Sequence, residues 1–458
     1  MADTPTRSLE TARCVRRRVL ALTTAAGALL GAACGASGRG TETEGAPRPG
    51  GAPAALEVWI VDWTQDTQQV FERQVLPAWQ GQQPQITVQL NWPSWTNMHE
   101  QLITRFAADN PPDVYQTGAS FVPEIARKNM GLPIDGLLAQ WGKKADFFPA
   151  PLAQASWEGK QYGLPYLVAP RTYFYRQDVL TETGTSRAPV TWEEQLEFAR
   201  RATKHDGDKL VRAAFNTPVI DEWAMNLRVL GGREYDDALR VTFNRPAYYP
   251  ALEVLVERHS IVQPPGVEPL PPAASNAPYL VSGQYAGQYT NQGAIRGFVQ
   301  SAPAELEKLV VGLPGVPGGG KYRAPAGVTP KHYARVYPDW LALSPPGRQR
   351  DAAWGFVTHL FSPDLLFAYD ETLFFLPPRK SVAALNRGFL QYSQMQEMTK
   401  LLDQYGGPTN LGPEFQRFGQ ITAPMLADAL NKKRGVKEVL DDAAAQTTAL
   451  FREIGFVK

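Results

Sequence analysis

Between Leu56 and Tyr115 the apolar residues change period four times. Leu56–Val61 is an apolar, β-prone run. Asp66–Gln80 carries Val70, Phe71, Val75, Leu76 and Trp79 close to helical spacing. Ile86–Leu90 alternates, and Trp95–Ala108 returns to a helical stripe of Met98, Leu102, Ile103 and Phe106. Pro111-Pro112 then stops the helix before Asp113–Tyr115. Periods near 2 and 3.6 mark strands and helices respectively. The order β-α-β-α-β predicts a doubly wound α/β unit.

Further along, Gly163–Tyr166 is a breaker segment followed by the β-rich run Tyr173–Tyr175. Thr191-Trp192-Glu193-Glu194 has the spacing of a capping box, with Thr191 as cap and Glu194 returning to its amide. Helices are expected over Glu222–Leu230, Ala247–His259, Arg348–Leu360, Pro363–Tyr369 and Val436–Phe451, and strands at Leu309–Val311 and Trp340–Leu343. Residues 263–278 are rich in proline and read as loop.

The first fifty residues read as something other than fold. Arg7, Arg13, Arg16, Arg17 and Arg18 precede the apolar run Val19–Leu30. At about twelve residues that run is too short to span ~30 Å of hydrocarbon comfortably as a helix. A basic segment, a short apolar segment and small residues at the exit are the layout of a signal peptide. The exit Leu30-Gly31-Ala32-Ala33-Cys34 resembles a bacterial lipobox, with Gly31 where Leu is usual, so Cys34 is the expected lipidation site. Arg16-Arg17-Arg18 resembles a twin-arginine signal in part. Residues 1–33 are assigned to the signal peptide and 34–54, small and Pro/Gly-containing, to a flexible tether.

Composition narrows the chemistry. The 458 residues include 46 Lys and Arg against 45 Asp and Glu, so no overall basic excess points to nucleic acid. Without residues 1–33, which hold five arginines and two carboxylates, the formal charge is −2. Five His and two Cys argue against a zinc site or a disulfide framework. Eleven Trp, 17 Tyr and 20 Phe leave aromatic surfaces as the first place to look for function.

Eight segments, in order, resemble the extracellular solute-binding proteins of ABC importers, in the sugar-binding, maltose-binding-protein-like group. They are the first strand Leu56–Ile60 leading to Trp63, Phe106–Val114 (ending Pro-Pro-Asp-Val), Gly163–Tyr166 with Tyr173–Leu180, Pro189–Leu196 (containing Thr-Trp-Glu-Glu), Ser282–Ala286, Val311–Gly319, Ala352–Phe356 with Ser362–Asp364, and Leu376–Ser381, all behind the lipobox-like leader. The resemblance implies a two-lobed α/β periplasmic-binding-protein fold, each lobe a doubly wound sheet flanked by helices, with a hinge between. It implies crossovers near Tyr166, Pro303 and Phe361, hence lobe one over 55–166 and 304–361 and lobe two over 167–303 and 362–458. It also implies an ABC permease and ATPase as partners, and a monomer without cofactor, held outside the cytoplasm by lipid or in the periplasm. Two departures bear on the ligand: Asn291–Ile295 lacks a Trp common in the family, and Pro338-Asp339 precedes Trp340 where Gly-Gly is common.

A sugar offers C–H faces to aromatic rings and hydroxyls to planar polar groups. Trp and Tyr beside Asp, Asn, Gln or Arg at loop positions are therefore the candidates for ligand contact: Trp63, Trp95, Gln116, Tyr166, Arg171, Trp223, Asn291, Asp339 and Trp340. Trp59, Trp79, Trp192 and Trp354 sit on apolar-periodic elements and read as core. Arg171 and Arg379 could meet an anionic group. Within the receptor class a glycerol phosphodiester, a polyamine or a peptide stays open as the solute.

Enzymatic motifs are thin. The chain has no GxxxxGK[ST], HExxH or GxSxG. Its five histidines have no ligand spacing, and no metal is expected. Glu193-Glu194 and Asp236-Asp237 are sequence neighbours, which does not set them opposite one another as a glycosidase pair must be. A binding protein rather than an enzyme is the expectation, with a secreted glycoside hydrolase as the distant alternative.

Overall fold

The computed structural model describes residues 54–236, 238–270, 278–345, 349–409 and 414–456. The signal peptide, nearly all of the tether and Cys34 lie outside the described residues. Nine strands position the site: β1 Ala54–Trp59, β2 Ile86–Asn91, β3 Val114–Gly118, β4 Gly163–Pro170, β5 Thr172–Arg176, β6 Gly287–Thr290, β7 Leu309–Gly312, β8 Ala334–Leu343 and β9 Gly406–Pro408.

They form two sheets. In the larger, β1 lies between β2 and β3, parallel to both. The long β8 runs antiparallel to β3 on one edge and to β4 on the other, and its start is parallel to β9. In the smaller sheet β5 is central and antiparallel to both β6 and β7. The parallel strands are joined by the helical run Gln65–Val70, Phe71–Val75 and Leu76–Gln82, and by α1 (Trp95–Ala107).

Period-2 alternation sends the strands of the larger sheet into two cores. Leu56, Val58, Ile60, Val114, Leu341 and Leu343 pack with Phe71, Val75, Trp79 and Phe356. Trp59, Tyr115, Trp340 and Ala342 pack with Met98 and Leu102 of α1. Trp79 meets Phe356 edge-on at 5.4 Å. Each such large apolar side chain stabilises the fold by roughly 1.5–3 kcal/mol when fully buried.

Beside the smaller sheet, helices dominate: α2 (Trp192–Ala202), α3 (Val219–Val229), α4 (Pro250–Val262), α9 (Phe415–Leu430) and α10 (Val436–Glu453). They share a core of Trp192, Trp223, Leu252, Leu255, Phe418, Leu426, Val439 and Leu440. The predicted capping box forms: Thr191 Oγ1 accepts from the Glu194 amide at 3.2 Å, and Glu194 accepts from the Thr191 amide at 3.1 Å. Between α4 and α9 in sequence come α5 (Gly293–Ser301), α6 (Arg350–Leu360), α7 (Pro363–Leu373) and α8 (Ser393–Tyr405). No described helix is long and apolar enough to cross a membrane.

Two segments bear on the expected division into lobes. The expected boundaries put Leu309–Gly312 in the first lobe, yet it pairs with Tyr173–Arg176 in the smaller sheet. They put residues 362 to 409 in the second lobe, while Gly406–Pro408 pairs with β8 of the larger sheet, and Leu366, Tyr369, Val382, Met395 and Leu402 share a core with residues of both sheets. The chain passes between the sheets at 170–172 and between 312 and 334.

Candidate functional site

Gln116 is the centre of a buried polar junction on the larger sheet. It is fully buried on β3. Its Oε1 accepts from the Val61 amide and from the Tyr166 hydroxyl, both at 2.8 Å, and its Nε2 donates to Asp339 Oδ2 at 2.7 Å. Register explains the meeting. β8 pairs Asp339 with Gly118 and Leu341 with Gln116, so Gln116 and Asp339 share one face. On the other edge Asp339 faces Leu167 and Trp340 faces Pro165, which leaves Tyr166 as the extra residue of a bulge. A bulge re-aims a side chain, and here it brings the phenol to Gln116. Tyr369 of α7 closes the junction with a hydroxyl contact to Tyr166.

Asp339 has one side-chain partner and is nine-tenths buried. Burial penalises its charged form and, against the opposing bond from Gln116, pushes its carboxyl up to about 7.

Two tryptophans stand next to this carboxylate. Trp63 stacks on Trp95 with ring centroids 5.6 Å apart and planes 25° from parallel. Trp95 opens α1 and is 38% exposed, unusual for so large an apolar residue. Gly118 makes the arrangement possible: a Cβ there would lie 2.8 Å from the Trp95 ring, and 3.8 Å from Asp339 Oδ1. The result is an accessible aromatic wall with a hydrogen-bond acceptor at its foot.

Farther along β8 stand Arg335 and Tyr337. They meet Asp221, in the first turn of α3. Arg335 Nη1 donates to the Asp221 carbonyl at 3.1 Å and to Oδ1 at 3.3 Å. The Tyr337 hydroxyl donates to Oδ1 at 2.5 Å, and Arg171 Nη1 lies 3.3 Å from Oδ2. Burial alone would raise the Asp221 carboxyl, but Arg171 and Arg335 hold it below its ordinary value. Arg335 Nη2 also donates to the Thr409 carbonyl, so this cluster ties Arg171, at a passage between the sheets, and Thr409 to α3.

The predicted contacts therefore divide. Trp63, Trp95, Gln116, Tyr166 and Asp339 come together, and Arg171 lies toward the start of β8, over the Tyr337 ring at 4.8 Å. Asn291 does not join them; its Oδ1 accepts from the Gly293 amide at 2.9 Å and shapes the turn into α5. Two expectations are corrected. Trp223 is completely buried in the helical core, edge-on to Phe243 at 5.2 Å. Trp340 is completely buried on the sheet face opposite Asp339, under Gly163, where a Cβ would overlap its ring. Arg379 is held by Asp146 at 2.7 Å.

Arg335, Tyr337, Tyr369 and Asp370 are absent from the residues that the sequence singles out. Asp370 is wholly buried, its carboxylate oxygens have no hydrogen-bond partner, and burial pushes its pKa well up. The signal was present: Asp370 falls on the apolar stripe of Leu366 and Leu373 at spacings of four and three. Beyond the end of β3 a cavity of ≈ 200 Å³ is lined by Ser120, Gln154, Trp157 and Thr409 among others. Among the described residues no group of three or more His, Cys, Asp or Glu could hold a metal ion.

Comparison with known proteins fits this geometry. The family model for bacterial extracellular solute-binding proteins matches residues 62–365. A Brucella abortus protein classed as a binding protein is 22% identical over 410 residues, covering 87% of this chain and 93% of its own. The diacetylchitobiose binding protein of Streptomyces coelicolor is 25% identical over 189 residues, 39% of this chain and 41% of its own. The sugar-binding protein MalE of Xanthomonas citri superposes with a TM-score of 0.73 at 21% identity, covering 88% of this chain and 99% of that one. The cyclic alpha-maltosyl-1,6-maltose binding protein of Arthrobacter globiformis gives 0.68 at 17% identity, covering 88% and 100%. These structures share the two-lobed α/β fold. The chain belongs to the bacterial extracellular solute-binding protein family.

Proposed function

We propose that this protein is a lipid-anchored, extracytoplasmic receptor that captures a carbohydrate between its two lobes and delivers it to an ABC importer. The observation that carries the reading is the half-exposed Trp63–Trp95 stack beside Asp339 and Gln116. A pyranose ring laid on Trp95 gains contact on its C–H face, while its hydroxyls reach the carboxyl group. Lobe one comprises residues 55 to 170 with 334 to 409, and lobe two 172 to 312 with 414 to 456. Asp221, reaching from lobe two to Arg171 and Arg335, stands where the lobes turn on one another. Ligand contact with both lobes would favour the closed state over the open one.

Binding followed by release is the function that the aromatic wall and its hydrogen-bonding groups support. Cys34 as lipid anchor and a permease–ATPase pair as partners follow from the leader and the family. Titration of intrinsic tryptophan fluorescence with a library of mono- and oligosaccharides tests the reading. A saturable change with one sugar class supports it. The absence of any change across the library, together with a response to polyamines or peptides, removes the carbohydrate.

A further inference from the structure

Hydrogen-bond donors accumulate at the hinge end of the β8 row. Arg171 and Arg335 face one carboxylate, Asp221. The neighbouring acids are matched elsewhere, Glu222 by Arg258 and Glu234 by Arg228. Glu234 also acts electrostatically on Arg335. The acceptors of Asp221 are engaged, Oδ2 by Arg171 and Oδ1 by Tyr337 and Arg335.

Two donors remain. Arg171 Nε is buried without a partner, and so is the hydroxyl of Tyr289, which is 1% exposed. Tyr289 lies on β6 of the smaller sheet, within electrostatic range of Arg335, Asp221 and Arg171. Buried donors without acceptors are costly. One incoming oxyanion would relieve both, because the guanidinium fork matches carboxylate and phosphate oxygens. From Arg335 to Asp339 is four residues of strand, about 13 Å. An anion bound here would thus sit one or two sugar units from the Trp95 wall.

We infer that the solute is an acidic sugar, whose carboxylate or phosphate ester is held by Arg171 and Tyr289 while a ring lies on Trp95. This rests on the carbohydrate-receptor reading. Isothermal titration calorimetry on the full chain tests it with glucose, maltose and cellobiose, their uronic acid forms, and their phosphate esters. At least one charged sugar should bind tenfold or more tighter than its neutral parent, with an advantage that shrinks as salt rises. The uronic acid and phosphate arms tell the two oxyanions apart.

Arg171→Gln should abolish the charged-over-neutral preference. Because Arg171 also holds Asp221, Tyr289→Phe provides the independent arm. It removes a hydroxyl with no partner, so the melting temperature should hold or rise while the preference falls several-fold. Equal or tighter binding of every neutral parent overturns the inference and leaves the receptor reading standing. A preference that Tyr289→Phe does not change also overturns it. Failure of all sugars, charged and neutral, overturns both.

Discussion

Gln116 and Asp339, 223 positions apart in the chain, share a hydrogen bond of 2.7 Å across neighbouring strands of the larger sheet. The bond orients a carboxyl group at the foot of an exposed aromatic wall. It also leaves that carboxyl with one protein partner and little water.

The wall can be removed with little harm to the fold. Trp95→Ala takes away a ring that is 38% exposed and stacked on Trp63. A stability loss of about 1 kcal/mol or less is expected, since stacking contributes about 0.5–1.5 kcal/mol. Sugar affinity should fall at least tenfold, about 1.4 kcal/mol. Calorimetric titration beside a thermal melt separates the two effects.

Asp339 makes stability depend on pH. Its carboxyl titrates near 7 in the folded chain against an ordinary value of 3.8, because burial disfavours the charge. Between those values the folded state holds more protons than the unfolded one, so stability falls as pH rises through the window. Asp339→Asn keeps an acceptor for Gln116 and cannot ionise. It should match the parent near pH 4 and exceed it at pH 8 by roughly 2–4 kcal/mol, at about 1.4 kcal/mol per unit. Urea unfolding at pH 4, 6 and 8 checks this; a difference that is constant across pH counts against it.

A second buried pair tests the helical lobe. Arg258 and Glu222 are both almost inaccessible and in direct contact, and the Tyr173 hydroxyl donates to Glu222 at 2.7 Å. Arg258→Met alone should cost about 3–5 kcal/mol by leaving a buried carboxylate unmatched. Adding Glu222→Gln should recover most of the loss. Denaturant melts of both variants decide it.

What the sequence made legible was local. The periods of 56–115 predict the parallel strands and their helices, and the Thr191–Glu194 spacing predicts a cap that forms in full. What it hid was non-local. A strand at 340–343 is foreseen, but its true start at Ala334 is not. With that start, alternation sets Asp339 and Trp340 on opposite faces, so both could not meet the same ligand. Trp223 misleads for a related reason: beside two acids it resembles a turn residue, whereas helical spacing turns it inward. The strand at Leu309 is read correctly, yet its partner Arg176 lies far away in sequence, and no periodicity names a partner.

The anchor is testable in cells. Cys34→Ala should abolish incorporation of labelled palmitate in a bacterial host and move the protein from the membrane fraction to the soluble extracytoplasmic fraction. Retention in the membrane would contradict lipid attachment at Cys34.

The most direct test of carbohydrate capture is thermal unfolding of the full chain against neutral and acidic saccharides, with polyamines and peptides alongside. A ligand at about 100 times its Kd stabilises a protein by ~2.7 kcal/mol, a rise of a few degrees for a chain of this size. A receptor that lays a sugar ring on Trp95 should show such a rise with one class of sugar, lost in Trp95→Ala. A rise with polyamines or peptides alone, unaffected by Trp95→Ala, would contradict it.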